Sequence, residues 1–146
     1  MMASFCTFAV GGIALAIGAA NVTEFGRIGA LTPVPLSDPA VAGLVNLRGQ
    51  IVTVLDIRRC FGAPPTEQHH ALGIYFRHDD ALFSLIVDAV DDIVELDEDG
   101  FEPPPGNLSA AVRDVLVGVH KLPGKLLMIV DADRIVRSVG AAESAR

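Results

Sequence analysis

The sequence predicts an all-β fold of small barrels, and three observations carry that expectation. Its apolar residues fall in short runs in which Val and Ile are prominent, the habit of buried strands. Turn signals such as Gly11-Gly12, His78-Asp79-Asp80 and Pro123-Gly124 separate the runs. Helical signals are few and short. Roughly eight to ten short strands of this kind suit small curled sheets, whose interiors take up the Val, Ile and Leu.

Taken in order, Cys6, Phe8 and Val10 share one strand face, and Ile13, Leu15 and Ile17 share another. The Gly11-Gly12 pair between them reads as a hairpin turn. Met1 through Thr23 has no charged side chain, which raises a signal peptide or a membrane span as a competing reading. The missing basic n-region, the Gly-Gly interruption and the alternation all favour strands. Val22-Thr23-Glu24-Phe25 is strand-like, Thr32-Pro33-Val34-Pro35 an extended connector, and Asp38-Pro39 a turn or helical start. The segment Gly43 to Gln50 leads into an apolar strand, Ile51 to Ile57. The polar stretch Gly62 to His70 marks the expected internal boundary.

The second half repeats this style. Strands are expected over Leu72–Phe76, Leu82–Val87, Val90–Leu96, Val115–Leu122 and Leu126–Val130. Pro103-Pro104-Pro105-Gly106 forms a loop, because proline cannot continue a central strand. Ser109 to Arg113 reads as a single helical turn, and Asp131 as the N-cap of a helix over Ala132–Val139. The small polar tail from Gly140 to Arg146 is expected to fray.

At 146 residues the chain fits one domain, or two small subdomains sharing a core. A formal net charge of −7 and a pI near 4.9, with no basic stripe, argue against nucleic acid as a partner. Cys6 and Cys60 lie far apart without CxxC spacing, so the expectation is two reduced cysteines in a cytoplasmic protein.

The acidic run Asp88, Asp91, Asp92, Glu95, Asp97, Glu98 and Asp99 raises a metal or ligand site on the strand Asp88–Glu95. Gly100 follows the carboxylates instead of lying among them and no suitable Glu closes the loop, so it is no EF-hand. A solvated strand face is the simpler reading. His69-His70 with Cys60 falls short of four paired zinc ligands. No nucleophile elbow or phosphate-cradling loop is present, and no cofactor or enzymatic activity is expected.

Arg48, in Asn46-Leu47-Arg48-Gly49 between two apolar runs, admits two readings. It is either a solvated turn residue or an interface anchor able to pair bidentately with a carboxylate. Glu24 is its candidate mate within the chain.

At this point the sequence resembles the CheW family. Gly43-Leu44-Val45-Asn46-Leu47-Arg48-Gly49-Gln50-Ile51-Val52, then Val54-Leu55-Asp56-Ile57-Arg58 and Phe61-Gly62, match the family's most recognisable stretch. Phe5-Cys6-Thr7-Phe8, Leu85-Ile86-Val87-Asp88-Ala89-Val90, Val117-Gly118-Val119 and Leu126 to Asp131 keep its order, so the likeness spans residues 4–138. The resemblance implies two SH3-like five-stranded β-barrels packed side by side with a short C-terminal helix. It implies a single domain over 1–146, with one barrel over 13–68 and the other from 3–10 plus 71–139.

The implied function is a non-enzymatic adaptor coupling chemoreceptors to a CheA-type histidine kinase. Such a protein is cytoplasmic, recruited to membrane receptor arrays without inserting into the membrane. By position, Val22, Gly43, Arg48 and Val90 match receptor contacts at the cytoplasmic tip. Glu24, Phe25, Leu44, Asn46 and Arg48 match the face toward the kinase regulatory domain. The chain departs from the family at Thr53, where proline is usual, and at Ser84 and Ala89, often glycine around the second-barrel groove.

Overall fold

A computed structural model describes residues 1–35, 38–61 and 71–144. Ten strands carry the fold: β1 (Met2–Val10), β2 (Ile13–Gly18), β3 (Val22–Arg27), β4 (Val41–Leu47), β5 (Gln50–Leu55), β6 (Leu72–His78), β7 (Ala81–Val87), β8 (Ala89–Asp97), β9 (Leu116–Leu122) and β10 (Lys125–Val130). Two helices, α1 (Ala110–Val115) and α2 (Ala132–Ser144), follow the pattern of the second half. Ser109 accepts a hydrogen bond from the Val112 N–H at 3.3 Å to cap α1. Asp131 accepts from Arg134 N–H at 3.1 Å to cap α2. The expected helix start holds, but α2 runs on through Ser144 where a frayed tail was expected.

The strands form two five-stranded sheets in the orders β8-β1-β2-β10-β9 and β3-β6-β7-β5-β4. We call them the terminal and the central barrel. Adding five to a strand number, or subtracting it, converts one order into the other. Each half of the chain therefore supplies a hairpin (β1–β2 or β6–β7) to one barrel and three strands to the other.

This corrects the expected division. Residues 13–18 pair with β1 and β10, not with the central strands, and 72–87 pair with β3 and β5. A two-residue turn ties β2 to β1, with Gly11 and Gly12 at φ 58° and 80°, so the hairpin crosses as a unit. Residues 62–70, the expected boundary, lie outside the described residues. The strands on either side of them, β5 and β6, belong to the same barrel.

Each barrel closes at a seam made by a segment outside its strands. Thr32 and Leu44 exchange two hydrogen bonds of 2.8 Å to close the central barrel, and Glu102 and Val119 do the same for the terminal barrel. Glycine precedes the bridged residue in both. A Cβ at Gly43 would lie 2.8 Å from the Thr32 carbonyl oxygen, and one at Gly118 would lie 2.9 Å from that of Glu102. Only glycine lets the backbones approach this closely.

The expected strand Ile51 to Ile57 stops at Leu55. The Asp56 N–H turns away to the Ala40 carbonyl, and the Asp56 carboxylate accepts from the Arg58 N–H at 3.0 Å, opening a 3-10 turn over Arg58–Phe61.

Alternation along the strands sorts the core. Val45, Val52, Val54, Tyr75 and Ile86 fill the central barrel; Phe5, Ala16, Leu96, Leu127 and Ile129 fill the terminal one. The opposite faces of the exchanged hairpins meet between the barrels. There Phe8, Val10, Leu15 and Ile17 pack with Ile74, Phe76, Leu85 and Val87, sealed by Val115 of α1 and Ile135 of α2. Strands buried on both faces read as unbroken apolar runs, which is what Leu15-Ala16-Ile17 and Leu85-Ile86-Val87 show.

Phe8 is fully buried in the shared cluster, so Phe8→Ala is expected to cost about 3–5 kcal/mol. Because the cluster belongs to both barrels, the urea transition seen by Tyr75 fluorescence in the central barrel should fall together with the circular-dichroism transition. A Tyr75 transition left at the wild-type midpoint would show that the barrels hold their cores separately.

Candidate functional site

The β4–β5 hairpin turns through Arg48 and Gly49, whose φ angles are 50° and 85°. The left-handed backbone costs a non-glycine residue roughly 1–2 kcal/mol. Asn46 supports the turn by accepting the Gly49 N–H at 2.9 Å. The strained turn holds Arg48 at the hairpin tip, where its guanidinium pairs with the Glu24 carboxylate of β3. β3 and β4 are the two edges of the central sheet, so this pair spans the barrel's seam.

The outer face of the same barrel carries exposed apolar side chains. Phe25 is 61% exposed and Ile51 60% exposed, unusual for side chains of that size in a barrel. Leu44 and Asn46 alternate with the buried Gly43 and Val45 and so point outward with them. Glu24 and Phe25 on β3, and Leu44, Asn46 and Arg48 on β4 and its turn, thus flank the seam, with Phe25 on the face of β3 opposite Glu24.

Beneath Glu24, paired to it in the β3–β6 register, lies buried Tyr75. Burial, and secondarily Glu24, pushes its hydroxyl up, while Arg48 pulls it down.

Val22 and Val90 form a second grouping. Val22 faces Phe76 and Val90 faces Phe8, and a β-bulge follows each valine in its edge strand. Both phenylalanines belong to the shared cluster, against which both valines pack. The two valines are therefore equivalent positions of the two halves, at the rim between the barrels. Gly43 offers backbone only, buried under Thr32.

The three departures from the family pattern lie in different surroundings. Thr53 faces Leu44 and Phe83 on the half-buried exterior, and Ala89 opens β8 opposite Ala9. Ser84 is fully buried inside the central barrel, in place of the expected second-barrel groove. Its hydroxyl has no hydrogen-bond partner among the described residues and occupies the space left by Gly73.

Sequence reasoning placed Asp88 in a solvated acidic run, and the structure separates it from that run. Asp91, Asp92, Glu95, Asp97, Glu98 and Asp99 are exposed; Asp88 is exposed too, at 38% of its side chain, but it pairs with Arg58, a side chain almost fully buried. The available signal was position: Asp88 is the one polar residue between the apolar runs of β7 and the start of β8. Among the described residues no three His, Cys, Asp or Glu side chains converge as metal ligands. His69 and His70 lie outside them. A cleft of about 920 Å³ on the terminal barrel, between Phe5, Asn21, Phe101 and Ala132, is reached by Glu98 of the acidic run but by none of the candidate partner contacts. No described helix is long and apolar enough to cross a membrane.

The family described as CheW-like domain matches residues 4–140 of the chain. Among curated proteins, the chain is similar to the chemotaxis protein CheW of Thermotoga maritima, at 28% identity over 130 residues covering 89% of this chain and 85% of that protein. It is similar also to the chemotaxis protein CheW of Rhizobium meliloti, at 29% identity over 110 residues, covering 73% of this chain and 70% of that protein. Among solved structures, it resembles the scaffolding protein TtCheW from Thermoanaerobacter tengcongensis with a TM-score of 0.75 and 25% identity, covering 89% of each chain.

Two expected outcomes follow from the buried groups. Ser84→Ala removes a hydroxyl that lacks a partner, so stability should hold or rise by about 1 kcal/mol in urea denaturation. A clear loss would reveal a hydrogen bond there.

The second concerns Tyr75, whose folded pKa lies above its ordinary value of 10.0. As pH rises past that value the unfolded chain ionises first, so stability present below it is lost on the way to the folded pKa. The Tyr75→Phe variant should lack this part of the alkaline loss. Phenolate absorbance reads the titration directly, since Tyr75 is the sole tyrosine.

Proposed function

The chain belongs to the CheW-like domain family, whose members are non-enzymatic scaffolds, and from that premise we propose that it couples chemoreceptors to a CheA-type histidine kinase. The observation that carries the reading is the Glu24–Arg48 pair across the central seam, in a barrel whose outer face exposes Phe25 of β3 and Ile51 of β5. Arginine and aromatic side chains dominate the energetics of protein interfaces. Here an arginine is paired across the seam to β3, the strand that also exposes Phe25 to solvent.

The kinase regulatory domain docks on this face, with Glu24, Phe25, Leu44, Asn46 and Arg48 as its contacts. The chemoreceptor's cytoplasmic tip enters the groove between the barrels, lined at its rim by Val22 and Val90 and reached by Arg48, whose strand Gly43 seats against Thr32. Arg48 serves both faces, so receptor state passes to the kinase through shared contacts and without chemistry in this chain. The setting is the cytoplasm, with recruitment to receptor arrays at the membrane through these partners.

The exposed ion pair itself contributes only about 0–1 kcal/mol to folding, so Arg48 can be changed without unfolding the protein. Arg48→Glu is expected to keep the circular-dichroism spectrum and melting behaviour. Its affinity for the isolated kinase regulatory domain should weaken roughly 30-fold or more, the loss of a hot-spot side chain. The reversed pair Glu24→Arg/Arg48→Glu restores an internal salt bridge and should remain defective. Wild-type kinase binding by folded Arg48→Glu would remove this face from the assignment.

A further inference from the structure

We infer that Arg58 and Asp88 are positioning residues that fix the relative orientation of the two barrels, and through it the width of the groove between them. Asp88 is the single residue between β7 of the central barrel and β8 of the terminal barrel. One of its carboxylate oxygens pairs with the Arg58 guanidinium, from the 3-10 turn that follows β5 of the central barrel. The other accepts the Gly11 N–H at 2.7 Å, from the β1–β2 turn of the terminal barrel. Its own N–H donates to the Ala9 carbonyl at 2.8 Å. One carboxylate at the crossover is thus held from both barrels at once.

The surroundings make this pair the directional element of the junction. Apolar contact in the shared cluster is non-directional and tolerates small rotations of one barrel against the other. A charge-assisted hydrogen bond has a preferred length and angle and does not. Arg58 is 8% exposed, and its Nε has no partner among the described residues, so the guanidinium's engagement with Asp88 is its principal anchor. The Arg58 N–H donates to the Asp56 carboxylate, and the backbone N–H of Asp56 donates to the carbonyl of Ala40, next to β4. The chain of bonds therefore runs from the β1–β2 turn through Asp88 and Arg58 to the base of the β4–β5 hairpin. Val90, which packs against the shared cluster between the barrels, lies two residues beyond Asp88.

The test separates orientation from stability. Backbone N–H residual dipolar couplings are measured on the full chain and fitted separately for the strands of each barrel. The wild-type barrels should share one alignment tensor. In Asp88→Asn and Arg58→Gln each barrel should still fit internally while the shared tensor is lost, and the Gly11 amide should lose protection from exchange. The double variant Arg58→Met/Asp88→Asn leaves no unpaired buried charge, so it should regain the wild-type melting midpoint while the two tensors stay different.

One shared tensor in the single variants, or its return in the double variant, overturns the inference. Should a single variant fail to fold, the double variant carries the test alone. A second arm rests on the function proposed above. Binding of a receptor-tip fragment should weaken roughly 2- to 30-fold while affinity for the kinase regulatory domain stays at the wild-type value. Failure of that arm with the tensors still separated would count against the receptor groove and leave the positioning role standing.

Discussion

The apolar cluster shared by the two barrels is the constraint on which the rest of the molecule depends. A five-stranded barrel from half of this chain is near the size at which one hydrophobic core barely sustains a fold. Here each exchanged hairpin is buried on both faces, one toward its own barrel and one toward the neighbour. Ile74 and Phe76 look outward from the central barrel, while Tyr75 between them looks in. The same arrangement holds for Leu15 and Ile17 around Ala16. Because the hairpins come from opposite halves of the chain, neither half contains a complete barrel.

That burial leaves the outer strands to meet solvent and partners. β3, β4, β8 and β9 are sheet edges, and an unpaired edge is a liability. Thr32 and Glu102 each close an edge with a pair of backbone hydrogen bonds. The bulges after Val22 and Val90, and the acidic side chains of β8, discourage further pairing. The candidate site arises from this closure. Glu24 and Arg48 lie on opposite edges of the sheet, and only curling into a barrel brings them together.

Local chemistry made much of this legible in the sequence. Gly11-Gly12, Asp79-Asp80 and Pro123-Gly124 announced their hairpins, and Asp131 announced its helix, because a turn or a cap depends on a few adjacent residues. The Glu24–Arg48 pair was within reach because both side chains flank recognisable strands. What escaped was long-range pairing. A hairpin carries no local mark of which three strands it will join, so residues 13–18 and 72–87 were assigned to the wrong barrels. Asp88 escaped for a related reason: in sequence it stands beside six other carboxylates, and only the fold brings Arg58 against it. Ser84 read as a groove position through the family resemblance alone, and the fold turns it into the central barrel.

The equivalence of the two halves sharpens what is particular to the candidate site. Counting from the hairpin turns, Phe25 corresponds to Ile93, Ile51 to Leu126 and Gly43 to Gly118, and each member of the first two pairs is exposed. The apolar surface is thus a property of the repeated framework. The charge is not. Where the β4–β5 hairpin turns through Arg48-Gly49, the β9–β10 hairpin turns through Pro123-Gly124, which has no side chain to reach a carboxylate. Asp92, next to Ile93 as Glu24 is next to Phe25, uses its backbone N–H and carbonyl on the Thr7 hydroxyl instead. Two barrels of one topology therefore differ at this turn, and the turn with the strained, charged residue distinguishes one face from the other.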